Sequence, residues 1–208
     1  MSNFLEMLSH QKSLLIRQKF EMAELFGFET RNKYSIESED GVSIGFAAEQ
    51  QKGFWGLIFR GFFGHWRRFD IFIFDSERNK IATLHHPFRW FFQRIEVRDQ
   101  RNQLIGSLQQ RFSILSKNFD VEDAFGRAVM TVRSPVWKFW TFVFKRGPQE
   151  VGRVEKKWSG LLNEVFTDRD HFRVSFSPSV SDSNSRLLQL SAGLFVDLQY
   201  FEKRASSN

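Results

Sequence analysis

The chain has 208 residues, 41% of them hydrophobic, with 26 Phe and 6 Trp against 2 Tyr, and a formal net charge of +6. This length suits one domain with a real core, and the sign of the charge favours anionic partners, phospholipid headgroups or nucleic acid. Because the sequence has no Cys, disulfides, thiolate catalysis, Cys-ligated zinc and palmitoyl anchors are excluded.

The opening MSNFLEMLSHQKSLLIRQKF is interrupted by Glu6, His10, Gln11 and Lys12, so it has no continuous apolar h-region. No signal peptide is expected, and a cytoplasmic location is the default reading. Residues 11–27 read as an amphipathic helix, with Ile16, Phe20 and Ala23 on one stripe and Gly27 as its stop. A long series of short strands follows. KYSIES (33–38) and VSIGFA (42–47) alternate apolar and polar residues around the turn Glu39-Asp40-Gly41, and RFDIFIF (68–74) is apolar on both faces beyond Asp70. KIATLHH (80–86), RIEVRD (94–99), QLIGSLQQRF (103–112), KNFDVED (117–123) and RAVMTVR (127–133) continue the series. KFWTFVFKR (138–146), EVGRVEKKW (150–158) and HFRVSF (171–176) complete it. Polar clusters such as SERNK, DQRNQ, EDAFG and KRGPQE separate them. A spacing of about ten residues per strand predicts an antiparallel sandwich or barrel spanning residues 33–177.

Between the early strands, FWGLIFRGFFGHWRRF (54–69) interleaves Trp55 and Trp66 with Arg60, Arg67 and Arg68 in a Gly-rich stretch. Aromatic side chains suit the headgroup boundary and basic ones an anionic surface. Membrane contact and filling of the barrel mouth are both open readings. Lys145, Arg146, Lys156 and Lys157 are further basic candidates for lipid binding. No groove-reading motif occurs, so a nucleic-acid partner rests on charge alone. No HExxH, GxSxG or P-loop pattern occurs, no paired carboxylates stand out, and His85 and His86 fall on opposite faces of a strand. No catalytic residues are assigned.

The last apolar stretch, Leu187 to Phe201, contains Gln189, Ser191, Asp197 and Gln199. A spanning helix needs about 20 apolar residues, and an Asp near its centre costs about 2.5–3.5 kcal/mol. On a helical wheel, Leu187, Leu190, Leu194, Leu198 and Phe201 cover one side, and Leu188, Ala192, Phe195 and Val196 much of the rest. A helix apolar nearly all round is buried on most sides. Residues 186–201 therefore read as a core helix rather than a membrane span, with Asp197 requiring a buried hydrogen-bond partner. A closed sheet wrapped around this helix would bury both its apolar surface and the sheet's inner face, and would leave no open edges.

LLIRQKFEMAELFGFETRNKYSI, GFAAEQ, PFRW, IEVRD, VEKKWSGLLNEVFTDRDHF and GLFVDLQYFE occur in this order. In these segments the chain resembles the phospholipid scramblase family, which is related to the tubby-like and LURP-one-related proteins. The resemblance covers about residues 5–202. It implies a mostly β, tubby-like closed antiparallel barrel of twelve strands around a central hydrophobic helix, with residues 1–208 forming one such domain. It also implies a protein that binds anionic phospholipid, held peripherally at the inner face of the plasma membrane, with movement of phospholipids between leaflets as the associated activity. A soluble tubby-like interaction or nucleic-acid-binding module without lipid translocation is the alternative reading of the same basic barrel. The same helix has been proposed to span the membrane in that family. Where members of the family carry palmitoylated Cys clusters, this chain has FRWFFQR (88–94). The family's nuclear-import segment falls at GRVEKKWSG (152–160), which also reads as a solvated strand face.

The family's proposed Ca²⁺ segment falls on DRDHFRVSFSPS (168–179), with Asp168 and Asp170 at loop positions one and three. Position five is Phe172, six is Arg173 and twelve is Ser179, where a Ca²⁺ loop has oxygen ligands, Gly and Glu. If Ca²⁺ binds here, affinity in the weak class of about 10⁻⁴–10⁻³ M is expected. No other cofactor is implied.

Overall fold

A computed structural model describes residues 3–19, 30–50, 69–114, 116–135, 141–157 and 171–198. Helix α1 (Asn3–His10) leads into β1 (Ser13–Gln18), β2 (Thr30–Ser38), β3 (Ser43–Gln50) and β4 (Phe69–Asp75). β5 (Lys80–His86), β6 (Arg94–Asp99), β7 (Leu104–Arg111) and β8 (Ser116–Asp123) follow. β9 (Ala128–Pro135), β10 (Thr141–Arg146), β11 (Gln149–Lys157) and β12 (His171–Phe176) precede helix α2 (Ser183–Val196). The twelve strands form a closed barrel in sequence order, which leaves no edge strand open to aggregation. β1 closes it by pairing antiparallel with both β12 and β2. This is the barrel around a helix that the resemblance implies.

The strands read from alternation, β2 to β12, fall where their sequences place them. Residues 11–27 are corrected: Ser13–Gln18 is a strand, the helix lies earlier at Asn3–His10, and 20–27 lie outside the described residues. In β1 the inward set is Leu14 and Ile16, both fully buried, a two-residue period that six residues carry only weakly. Hydrogen-bond ladders on both sides outweigh local helical spacing there. In α1, Phe4 and Leu8, one turn apart, supply the buried face.

α2 is buried on every side from Ser185 to Val196, as the wheel requires. Its apolar residues meet the inward rows of the strands. At Gly193 an added Cβ would stand 3.0 Å from Val174 Cγ2 and 3.2 Å from Ile16 Cδ1, so the glycine permits close approach of helix and sheet. Asp182 caps the N-terminus by accepting from the Ser185 amide at 2.7 Å. Asp197 is the buried C-cap, its N–H directed at the Gly193 and Leu194 carbonyls. Among the described residues, no helix is long and apolar enough to cross a membrane.

The barrel has two unlike rims. α1, the start of α2 and the turns 39–42, 76–79, 100–103 and 124–127 lie at one. Buried Arg186 joins the helices there. Its guanidinium donates to the carbonyls of Val180 (2.7 Å), Leu8 (2.9 Å) and Gln11 (2.5 Å) and lies 5.0 Å over the Phe176 ring. Burial lowers its pKa, against a smaller opposing pull from Asp182. The turns share one device: Asp75, Asp99 and Asp123 each accept from the amides two and four residues on. The residue three positions on is left-handed: Arg78 (φ 69°), Asn102 (φ 63°) and Gly126 (φ 78°). Hydrogen bonds from the Arg127 backbone and side chain hold the Asp123 carboxyl below its ordinary pKa.

Candidate functional site

At the other rim the inward rows end in polar residues around the C-terminal end of α2. On β1 to β3, Gln18 Nε2 donates to Asn32 Oδ1 (3.3 Å), and Asn32 Nδ2 to Glu49 Oε2 (2.7 Å). On β5 to β7, buried His86 and Gln93 join through Nε2 and Oε1 at 2.7 Å, and the Gln93 amide donates to Gln110 Oε1 at 3.0 Å. His86 stacks on Phe69 at 4.5 Å, and its ring centroid lies 6.0 Å from that of Phe195 on α2. On β8 and β9, Lys117 pairs with Ser134, continuing the inward row of Phe119–Val132 and Val121–Met130. On β11, Lys156 pairs with fully buried Phe172, in the row of Val154 and Val174 that meets α2. Register thus aims both lysines into the mouth rather than onto an outer strand face. The Lys117 ammonium lies 5.9 Å over the Phe142 ring.

Two loops at this rim expose apolar side chains. The β5–β6 loop carries Phe88, Trp90 (57% exposed), Phe91 (84%) and Phe92; the β7–β8 loop carries Phe112 (75%) and Ile114 (81%). The first is firmly held at its base. Gln93 is buried, and its carbonyl accepts from the Gln110 amide at 2.8 Å. Phe88 and Trp90 meet edge to face at 5.3 Å. On the outer surface beneath these loops, Arg94 pairs with Glu122 (2.8 Å) and Arg111 with Asp120 (2.7 Å). Burial, the largest single effect on Glu96, pushes its pKa up, but a hydrogen bond and charge from Arg98, with Arg94, bring it below the ordinary value.

The residues singled out from sequence separate in space. Lys145 and Arg146 are exposed at the α1 rim, where β10 turns into β11. Lys156 is at the mouth, and Lys157 ends the same strand. Trp55, Arg60, Trp66, Arg67 and Arg68 lie outside the described residues, and so do Asp168 and Asp170. Gln50 and Phe69, which flank 51–68, end β3 and begin β4 at the mouth rim. The described part of the Ca²⁺ segment does not supply a ligand loop: His171–Phe176 is strand β12, and Phe172 points into the core. Among the core-helix residues, Leu187, Leu190, Leu194, Phe195, Asp197 and Leu198 are buried, while Phe201 lies outside the described residues. Sequence reasoning missed Lys117 and the polar ring of Gln18, Asn32, Gln93 and Gln110. The available signal was that each of these residues closes or opens an alternating strand on its apolar phase.

Comparison with known proteins gives a family match. The protein-family model described as Scramblase matches residues 1–203. Phospholipid scramblase 1 of Homo sapiens is 30% identical over 97% of this chain and 67% of its own length. Phospholipid scramblase 2 of Bos taurus is 30% identical over 95% and 71%. Phospholipid scramblase family member 5 of Homo sapiens is 26% identical over 95% and 77%. A solved X-ray structure of an Arabidopsis thaliana protein matches with a TM-score of 0.49 and 15% identity, over 89% of this chain and 91% of that one.

Proposed function

The chain belongs to the scramblase family, and we propose that it is a scramblase-like phospholipid-binding protein that attaches peripherally to anionic membranes. The observation that carries this reading is the enclosure of α2. Its apolar surface is consumed by the barrel, so attachment falls to the barrel's own surface, where Lys117 and Lys156 line the mouth. Each basic residue near an anionic surface contributes roughly 1 kcal/mol, and the cytoplasmic leaflet carries the anionic lipid. The inner face of the plasma membrane is therefore the proposed location.

Relatives of this chain are named phospholipid scramblases, and movement of phospholipid between leaflets is the corresponding proposal here. A barrel filled by a helix offers no polar lane along its axis. Movement of headgroups would then proceed by bilayer deformation or by several copies acting together. No step is assigned to Ca²⁺, because Phe172 and Arg173 stand in a strand where loop ligands are required.

Flotation with phosphatidylserine-containing and purely phosphatidylcholine vesicles tests the binding. Dithionite reduction of a labelled lipid, with and without Ca²⁺, tests the movement. Binding that requires the anionic lipid and weakens with salt is expected. Failure to float with anionic vesicles at low salt would overturn the reading.

A further inference from the structure

We propose that the barrel docks mouth-first on the phospholipid bilayer, with Trp90, Phe91, Phe112 and Ile114 entering the interfacial layer and the α1 rim remaining in water. This rests on the phospholipid-binding reading above and adds to it an orientation and a set of inserting residues.

The distribution of exposed apolar side chains is one-sided. Among the described residues, six large exposed hydrophobics sit on the β5–β6 and β7–β8 loops, and only Val42 and Phe125 lie at the other rim. Single exposed apolar residues need no explanation, whereas a contiguous group marks an interaction site. The two loops belong together by topology. β6 and β7 are adjacent strands, and at a spacing of about 4.8 Å per strand the loop tips stand on the order of 10 Å apart. Phe125, by contrast, is covered on one face by the Arg127 guanidinium, 5.2 Å from its ring.

The chemistry of the patch selects a bilayer as the occupant. Its most exposed members project from loop tips, a shape that a yielding lipid interface accommodates without preformed pockets. Trp and Phe favour the headgroup boundary. Arg89 is exposed within the same loop, so the apolar tips carry a cation suited to anionic headgroups. The acids on the strands below the loops are paired: Glu96, Asp120 and Glu122 with arginines and Asp70 with His85. The chain has no Cys to carry a thioester-linked lipid, and charge alone rarely gives stable attachment. Insertion by side chains supplies the second contribution. The Gln93 anchor and the Phe88–Trp90 contact order the loop beforehand, which reduces the entropy lost on docking.

The absence of Cys makes the test direct. Phe91→Cys, Phe112→Cys and Phe125→Cys proteins, each labelled with an environment-sensitive nitrobenzoxadiazole dye, are mixed with phosphatidylserine/phosphatidylcholine vesicles. The expected result is a blue shift, with quenching by shallow spin-labelled lipid, at positions 91 and 112 and not at 125. In parallel, Phe91→Ala and Phe112→Ala should each weaken vesicle partitioning by roughly tenfold, as loss of a buried aromatic predicts, with thermal melting unchanged. Dye in water at 91 and 112 while the protein still floats would overturn the orientation and leave the binding reading standing. Quenching at 125 instead would do the same. Wild-type protein that does not float at all would overturn the binding reading itself, and this proposal with it.

Discussion

At the α1 rim the polar groups answer one another: Asp75, Asp99 and Asp123 bond their own turns, and Arg186 of α2 donates to the Leu8 carbonyl of α1 and to the carbonyls of Gln11 and Val180 beside the two helices. At the mouth rim, buried Gln93 and His86 brace a loop whose aromatic tips are exposed. The first arrangement is what folding alone selects. The second leaves apolar surface in water above a well-ordered base, a local cost that folding does not explain and that a binding surface does.

The comparison fails at its root if α2 is not the core shared by both rims. Each large side chain of α2 contributes about 1.5–3 kcal/mol by burial, against a net stability of about 5–15 kcal/mol. The shortened chain 1–184 is therefore expected to lose cooperative folding, and Leu194→Asp nearly so, because an unpaired charge would enter the core. Thermal melting followed by circular dichroism reads this. A sharp transition in 1–184 would instead make the helix an appendage.

Arg186→Leu tests the α1 rim alone. Three carbonyls lose their donor, and a cost of about 2–4 kcal/mol is expected in urea unfolding. Vesicle partitioning, measured where the variant remains folded, should be unchanged. A parallel loss of binding would show that the two rims are not separable.

Gln93→Leu sharpens the other half. It removes the His86 partner and one support of the β5–β6 loop, for about 1–3 kcal/mol of stability. Partitioning should weaken as well, because a loosened loop must be ordered on docking. A stability loss with unaltered partitioning would show that the loop's order plays no part in docking.

The smallest expected effect returns to the turns. Arg78 holds the left-handed conformation that Gly126 holds in the corresponding turn. Arg78→Gly is expected to stabilise by up to about 1 kcal/mol, since a Cβ is disfavoured at positive φ. A lowered urea midpoint would show that the arginine side chain makes a compensating contact.

Much of the barrel was legible because alternation is a strong local signal where one strand face is buried. Ile71 and Ile73, or Ile95 and Val97, mark their inward phase with no knowledge of neighbours. β1 was not legible, since Leu14 and Ile16 sit in a stretch whose residues also suit one helical stripe. The basic candidates were visible as residues but not as a site. Arg146 and Lys156 are close in sequence yet lie at opposite rims, because one strand length separates them.

The sequence by itself determined the strand phases, the all-round apolar character of α2 and the excess of Phe and Trp, since these depend only on residue type and period. Closure through β1, the inward aim of Lys117 and Lys156, and the gathering of Phe91 and Phe112 on one rim were decided by the tertiary structure. Each depends on which strand pairs with which and in what register. A shift of one residue would turn Lys117 and Lys156 to the other face, and no local preference records that choice.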